Sequence, residues 1–340
     1  MTEGYWQGSG AIPEEKIVSH TTSTSGSGSR TDPQGQWVGI AANAGSGRGS
    51  SRKRVERLVG ELQQRGLASK VAWTLEERAT LVAQSRLGSN CRCLVAAGGD
   101  GTVAALVNER PSVPITVLPS GTENLFARHF GLSRDPAQLA ATIAAGRVSR
   151  MDLGDADSRR FTLMAGIGFD ADVVTRHHQG RVGRTGIPRP TNRSAYVEPV
   201  LRSSFQYRFP TLTLNIADPG AEETLVGATA FLFNLPRYAL GLPFAPTAKG
   251  DDGWLDLVVF RDAGPLRSLR YLWLVARGIH LHRPGIYHRK VRRVTISSAE
   301  SVPVQLDGDP GGYIASDATA EGDWTVEVLP DAIDVLVPCA

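Results

Sequence analysis

Apolar residues recur along this chain in two different rhythms, and the change between them falls near residue 150. Residues 38–42 form a short apolar run that stops at Asn43, the pattern of a strand covered on both faces. A Gly- and Ser-rich loop follows. Val55, Leu58, Val59 and Leu62 then return at helical spacing, with Gly66 as a stop. Residues 71–74 read as a second strand, and Thr74-Leu75-Glu76-Glu77 has the Thr-x-x-Glu form of a capping box opening another helix. A third strand, 94–97, runs into Gly98-Gly99-Asp100-Gly101-Thr102 and a helix through Leu106. A fourth, 115–118, ends at Pro119-Ser120-Gly121-Thr122-Glu123-Asn124. Such alternation predicts a parallel sheet with helices on its faces. Ligands of these sheets bind beyond the carboxyl ends of the strands, where all four turns lie.

After Met151 the rhythm becomes strand-rich. Segments 161–165, 211–216, 229–234, 254–261, 293–297, 302–306 and 324–329 are short and extended, separated by Gly, Pro and Asp. They predict a mostly antiparallel β-sandwich. One helical stretch, 266–280, interrupts them, and the shared face of Leu266, Leu269, Leu272, Trp273 and Ala276 is expected to pack into the core. Residues 1–36 include the run Thr21-Thr22-Ser23-Thr24-Ser25-Gly26-Ser27-Gly28-Ser29 and read as a flexible tail.

Composition narrows the picture little. Hydrophobic residues make up 41% and charged residues 21% of 340, a globular balance, and a net charge of +3 gives no case for nucleic acid. Cys91, Cys93 and Cys339 are odd in number and lack metal-type spacing, which argues against a disulfide framework or zinc site and for a cytoplasmic setting. Neither a signal peptide nor an apolar run long enough to span a bilayer is expected.

The chemistry is in the turns. Gly98 and Gly99 let backbone N–H groups approach an anion closely, and the helix that follows adds partial positive charge. Asp100 beside phosphates is repulsive unless it serves a magnesium ion or a water shell, or orients a donor. Its bland reading is a charge near a helix start. The loop 43–50 is a second phosphate-facing candidate, though it has neither the Gly-Lys-Ser/Thr of a Walker A motif nor dinucleotide spacing.

These turns, with Leu125-Phe126-Ala127-Arg128 after the second, Gly166-Ile167-Gly168-Phe169-Asp170-Ala171-Asp172, Asp251-Asp252-Gly253-Trp254-Leu255-Asp256, Val304-Gln305-Leu306-Asp307-Gly308-Asp309 and Val328-Leu329-Pro330-Asp331-Ala332-Ile333, resemble the diacylglycerol kinase catalytic domain family. That family includes soluble bacterial lipid kinases and the sphingosine and ceramide kinases. The blocks fall in the family's order from about residue 37 to 338. The resemblance implies an α/β plus all-β fold: a phosphofructokinase-like nucleotide domain, 37–150 with 330–340, and a β-rich substrate domain, 151–329. The last strand, around Val335, would cross back to the first domain.

The resemblance further implies that Asn43, Thr74, Gly98, Gly99, Asp100, Gly101, Thr102 and Thr122 contact ATP, with Gly45, Ser46, Gly47 and Asn124 in the same turns. Thr74 is equally explained by its capping box. Asp307 or Asp309 would be the base that accepts the acceptor's hydroxyl proton, with Asp100 supporting magnesium or the acceptor. Asp170 and Asp172 would meet the acceptor from one face of a strand, and Asp252 with the carbonyls of Lys249 and Trp254 would bind a structural magnesium ion. Two departures stand out. Leu125 replaces a common Asp, and Asp309 replaces the usual Glu of Asp-Gly-Glu. The shorter acid would draw its carboxylate back by roughly 1.5 Å, which makes Asp307 the stronger candidate for base.

The implied activity is ATP-dependent phosphorylation of a lipid hydroxyl, diacylglycerol- or sphingoid-like. NAD kinases share the Gly-Gly-Asp-Gly-Thr turn and form an alternative, but the 118–128 and 304–309 blocks fit lipid kinases better. A catalytically weak nucleotide-binding relative is the non-enzyme alternative, motivated by Leu125 and Asp309. Basic stretches at Arg176, Arg181, Arg184, Arg189 and Arg193, and at Arg283, Arg289, Lys290, Arg292 and Arg293, offer contact with an anionic inner membrane surface from the aqueous side.

Overall fold

The structure is a computed structural model that describes residues 36–43, 50–87, 90–182, 197–218, 221–314 and 323–339. The expected tail up to residue 35 and the loop residues Gly45, Ser46 and Gly47 lie outside the described residues.

The first half runs β1 (Trp37–Ala42), α1 (Ser50–Gln63), β2 (Ala68–Ala72), α2 (Leu75–Arg86), β3 (Cys91–Gly98), α3 (Asp100–Asn108) and β4 (Ile115–Pro119). The strands pair in parallel in the order β2-β1-β3-β4. Successive residues Leu94, Val95, Ala96 and Ala97 are all buried, so both faces of the sheet are covered, as the unbroken apolar runs require. Val55, Leu58 and Leu62 of α1 supply part of that cover. The second strand begins at Ala68, not 71. It is the edge strand, alternately exposed and half-buried, and therefore had no apolar run to betray it. Thr74 caps α2 as its sequence predicted: its Oγ1 accepts from Glu77 N at 3.1 Å, and Glu77 Oε2 accepts from Thr74 N at 3.1 Å.

The chain continues through α4 (Leu125–His129), α5 (Pro136–Ala145), β5 (Val148–Ala156), β6 (Arg159–Phe161), β7 (Met164–Gly168), α6 (Phe169–Val182) and α7 (Val197–Gln206). Then come β8 (Leu212–Asp218), β9 (Ala221–Gly227), β10 (Thr229–Phe233), β11 (Leu255–Phe260), α8 (Pro265–Ala276), β12 (Ile286–Val291), β13 (Arg293–Ser297), β14 (Val302–Leu306), β15 (Asp309–Ile314) and β16 (Trp324–Leu336). Six strands form an antiparallel sheet in the order β12-β11-β10-β7-β14-β15. The antiparallel strands β16, β13, β8 and β9 extend the first sheet. Leu214, Ile216, Val294, Ile296 and Val326 on one side and Ile167, Leu232, Leu257, Val304 and Leu306 on the other share one core. The fold is therefore a parallel nucleotide-type sheet followed by an antiparallel sandwich.

β16 joins them. Its first half pairs with β13, Val326 opposite Val294, and its second half lies parallel to β4, Val335 beside Ile115. β5 runs along both halves, with an irregularity between Leu329 and Ile333.

Three expectations are corrected. The single strand expected over 161–165 is divided between β6 and β7, because the backbone N–H groups of residues 162–164 turn to a carboxylate. Residues 170–172 lie on α6, which starts after Gly168 leaves the strand with φ +97°. The Leu266/Trp273 face of α8 points to solvent, because Tyr271, Leu274 and Val275 are the residues that pack inward.

Candidate active site

The two glycine turns of the parallel sheet are locked into one unit. A Cβ on Gly121 would lie 2.7 Å from the Cα of Gly99, and one on Gly98 would lie 2.0 Å from Thr102 Oγ1. Only residues without side chains permit that approach. Ser120 N donates to Gly98 O at 2.8 Å across the same contact. Asp100 makes the third tie: its two carboxylate oxygens accept from Leu125 N and Phe126 N, each at 3.0 Å. It thereby caps α4, whose own N-cap Asn124 has φ 50° and caps nothing. The Asn124 side chain closes its own turn instead, accepting from Gly121 N at 2.8 Å and donating to Gly121 O at 2.7 Å. Burial raises the pKa of Asp100, and the two N–H groups of α4 oppose the rise. Of the uses open to this acid, the structure displays the orienting of donors, the N–H groups that open α4.

Gly101 and Thr122 are left exposed at the rim of the paired turns. Asn43 stands at the same edge, its N–H on Ala97 O at 3.2 Å and its side chain exposed. From α1, Arg54 donates to Pro119 O at 3.0 Å, which sets a guanidinium beside the second turn. Gly121→Val should force the backbones apart. Its expected effect is a rise in the KM for ATP of about tenfold or more with far-UV circular dichroism unchanged.

The acidic hairpin gives its two carboxylates different surroundings. Asp307 and Gly308 join β14 to β15 with φ +54° and +86°, the two-residue Asp-Gly turn whose twist suits a hairpin. The Asp307 carboxylate accepts from Thr162 N (2.8 Å), Thr162 Oγ1 (2.9 Å), Leu163 N (2.7 Å) and Met164 N (3.1 Å). It is only 7% exposed, and burial pushes its pKa up to about 6 despite these donors. Both oxygens are spent on backbone N–H groups and the Thr162 hydroxyl. The Asp309 side chain has no hydrogen bond or ion pair among the described residues, and its Oδ2 lies 3.2 Å from where a Cβ on Gly101 would stand. The shorter acid is thus the one that faces the glycine turn.

Gln305 links this hairpin to the second acidic segment. Its Oε1 accepts from Gly308 N at 2.8 Å, and its Nε2 donates to Asp170 Oδ2 at 2.9 Å and to Tyr238 Oη at 3.2 Å. Tyr238 also donates to Asp170, at 3.3 Å. Burial pushes the Asp170 carboxyl up to about 6, against the pull of both hydrogen bonds. Asp172 does not accompany it. Two residues along a helix diverge by about 200°, and Asp172 turns away to Arg176 at 2.7 Å. The structure therefore brings together Gly98, Gly99, Gly101, Thr122, Asp309, Gln305, Asp170 and Tyr238, and leaves Asp172 out.

With this geometry in view, two family profiles account for nearly all of the chain after residue 37. That described as diacylglycerol kinase catalytic domain matches residues 38–156. That described as YegS C-terminal NAD kinase beta sandwich-like domain matches residues 165–337, just over half the chain by itself. The chain belongs to the diacylglycerol kinase family. Among curated relatives, the diacylglycerol kinase of Staphylococcus saprophyticus is 27% identical over 286 residues, spanning 81% of this chain and 89% of the relative. That of Bacillus subtilis strain 168 is 27% identical over 297 residues, spanning 81% and 90%. A solved structure from Bacillus anthracis str. Sterne matches with a TM-score of 0.68 at 19% identity, covering 91% of this chain and 97% of that one. Another, of a diacylglycerol kinase from the same strain, gives 0.62 at 18%, covering 89% and 97%. Membership makes this chain an ATP-dependent lipid kinase, a phosphotransferase with an alcohol group as acceptor.

In this kinase both carboxylate oxygens of Asp252 have protein partners. Asp252 accepts from Trp254 N at 3.2 Å through Oδ1 and holds the Lys290 ammonium through Oδ2. Asp152 braces the same turn, accepting from Gly253 N at 2.7 Å and Asp331 N at 2.8 Å. Lys290 thus occupies one oxygen of the acid expected, with the carbonyls of Lys249 and Trp254, at a structural magnesium ion. The basic stretches are also largely committed. Arg176 pairs with Asp172, Arg289 with Glu223, Lys290 with Asp252 and Arg293 with Glu327, while Arg292 lies over the Trp254 ring at 4.5 Å. Arg184, Arg189 and Arg193 lie outside the described residues. Among the described residues, no helix is long and apolar enough to cross a membrane.

The kinase's Gln305, Tyr238 and Arg54 are absent from the sequence-based site. Gln305 carried a signal: a polar residue inside the apolar strand Val302, Val304 and Leu306, fully buried, needs partners. Tyr238 and Arg54 carried none.

Proposed function

We propose that this chain transfers the γ-phosphate of ATP to the hydroxyl of a diacylglycerol- or sphingoid-like lipid, with Asp309 as the general base. The observation that supports it is the Asp309 carboxylate, without a partner among the described residues and set against Gly101 at the rim of the locked glycine turns. Phosphoryl transfer asks for in-line positioning, charge neutralisation and a carboxylate for the hydroxyl proton. Backbone N–H groups of residues 98–102, with Asn43 and Thr122, line the phosphates, and Arg54 adds positive charge beside them. Magnesium arrives with ATP as part of the substrate. The acceptor oxygen forms its bond to the γ-phosphorus as the bond from the β–γ bridging oxygen breaks, ADP departs, and Asp309 takes the proton.

Asp170, oriented by Gln305 and Tyr238, meets the acceptor's polar end. Asp307 and Asp100 act as positioning residues, one for the hairpin and one for the second turn, and Thr74 acts through the start of α2. Incubation with γ-labelled ATP and diacylglycerol, a sphingoid base, ceramide, phosphatidylglycerol or NAD tests the reading. Label is expected in diacylglycerol or the sphingoid base. Label only in NAD, or in nothing, overturns it.

A further inference from the structure

α8 is apolar on two opposite faces. The inner one holds Tyr271, Leu274 and Val275, all buried. The outer one holds Leu266, Leu269, Leu272 and Trp273, which are 81%, 48%, 43% and 55% exposed. At about 100° per residue these four fall within roughly one third of the helix circumference, turned away from the core. α7 packs against α8 and adds Leu201 and Phe205, both exposed. Scattered apolar side chains on a surface need no explanation, but a contiguous group marks an interaction site.

Charge indicates what covers it. Between Ala263 and Ala299 the chain has no acidic residue, while Arg267, Arg270, Arg277 and Arg283 are exposed on and just after α8. Asp262, just before α8, pairs with Arg267 at 2.5 Å and is also drawn on by the charge of Arg270. The side chains of Arg270 and Arg283 have no ion pair or hydrogen bond among the described residues, and Arg277 lies 5.6 Å from the Trp273 ring centre. Leu and Trp on one face with Arg along its flank is the pattern of a helix that lies in a bilayer interface. The helix is also tied to the acceptor side of the site. Tyr238 touches Phe244, Phe244 touches Phe231, Phe231 touches Phe260 and Phe260 touches Tyr271 of α8, with ring centres 6.0, 5.4, 5.8 and 4.7 Å apart.

We propose that the outer face of α8, with Leu201 and Phe205 of α7, inserts into the surface of an anionic bilayer and seats the enzyme where a lipid acceptor resides. The acceptor clause rests on the lipid-kinase reading; the membrane face itself does not. The test is co-sedimentation of the full chain with vesicles of phosphatidylcholine alone or with one quarter phosphatidylglycerol, alongside a Leu269→Glu/Trp273→Glu variant and an Arg270→Ala/Arg283→Ala variant. The wild type should bind the anionic vesicles with a blue shift of tryptophan emission. The first variant should bind at least about tenfold more weakly, and the second about fivefold more weakly per arginine removed at low salt, both with unchanged circular dichroism. Phosphorylation of a dispersed short-chain acceptor should survive in both variants while that of a bilayer acceptor falls. Binding without any lipid phosphorylation would support this face and overturn the kinase reading. Equal vesicle binding by wild type and the first variant would overturn the proposal, as would halving of the solution mass in that variant, which would make the face a contact between two copies.

Discussion

Asp309→Asn is expected to lower phosphoryl transfer by about 10²- to 10⁴-fold, the usual contribution of a positioned general base, while ATP affinity stays within about twofold. The asymmetry follows from the site. The Asp309 side chain has no partner among the described residues, so its loss leaves no donor stranded and the fold should not register it. Neutralising a carboxylate beside the phosphates also removes repulsion, so binding has no reason to weaken. Single-turnover transfer measured beside calorimetric ATP binding separates the two. Transfer within threefold of wild type would remove Asp309 from the role. Asp309→Glu supplies the contrast: it lengthens the side chain by roughly 1.5 Å and should retain far more turnover than the Asn variant.

Asp307→Asn should behave in the opposite way, losing about 3 kcal/mol of folding stability, since charge-assisted and buried hydrogen bonds are costly to leave unmade. One amide oxygen can still accept from backbone N–H groups, but the amide nitrogen would then meet the N–H and hydroxyl of Thr162 donor to donor. Urea unfolding is the measurement, and pH gives it a signature. The folded pKa of Asp307 is about 6, above the value near 4 expected in an unfolded chain. Its titration therefore favours the folded state fully below about pH 4, and that contribution is lost as pH rises through about 6. The Asn variant lacks this term, so its deficit should be larger at pH 4.5 than at pH 7. Asp170 is raised to about 6 as well and remains in the variant, so some slope should persist. An unchanged unfolding midpoint would overturn the positioning role.

These two residues show where a sequence is legible and where it is not. The strand-to-glycine-turn pattern was readable because backbone requirements leave periodicity and residue-type signatures. Buried parallel strands demand unbroken apolar runs, and close approach demands Gly98, Gly99 and Gly121. Which carboxylate is free is a different kind of fact. Asp307 is consumed by N–H groups some 140 residues earlier in the chain, and no local pattern encodes such a partner. α6 was missed for a similar reason: the start of that segment reads as a strand until Gly168 takes a left-handed conformation. On α8 the helical period was right and the buried side was wrong. Both faces are apolar, and only the neighbours decide which turns inward.

β16 carries a consequence for anyone who would cut this protein in two. A chain ended near residue 150 would keep β1 to β4 but lose the strand that lies along β4 and pairs with β5. It would present a bare, apolar strand edge to solvent, the kind of surface that recruits other chains. Such a fragment should aggregate on expression, whereas one that retains the last dozen residues as a fused segment has a route to closing its sheet.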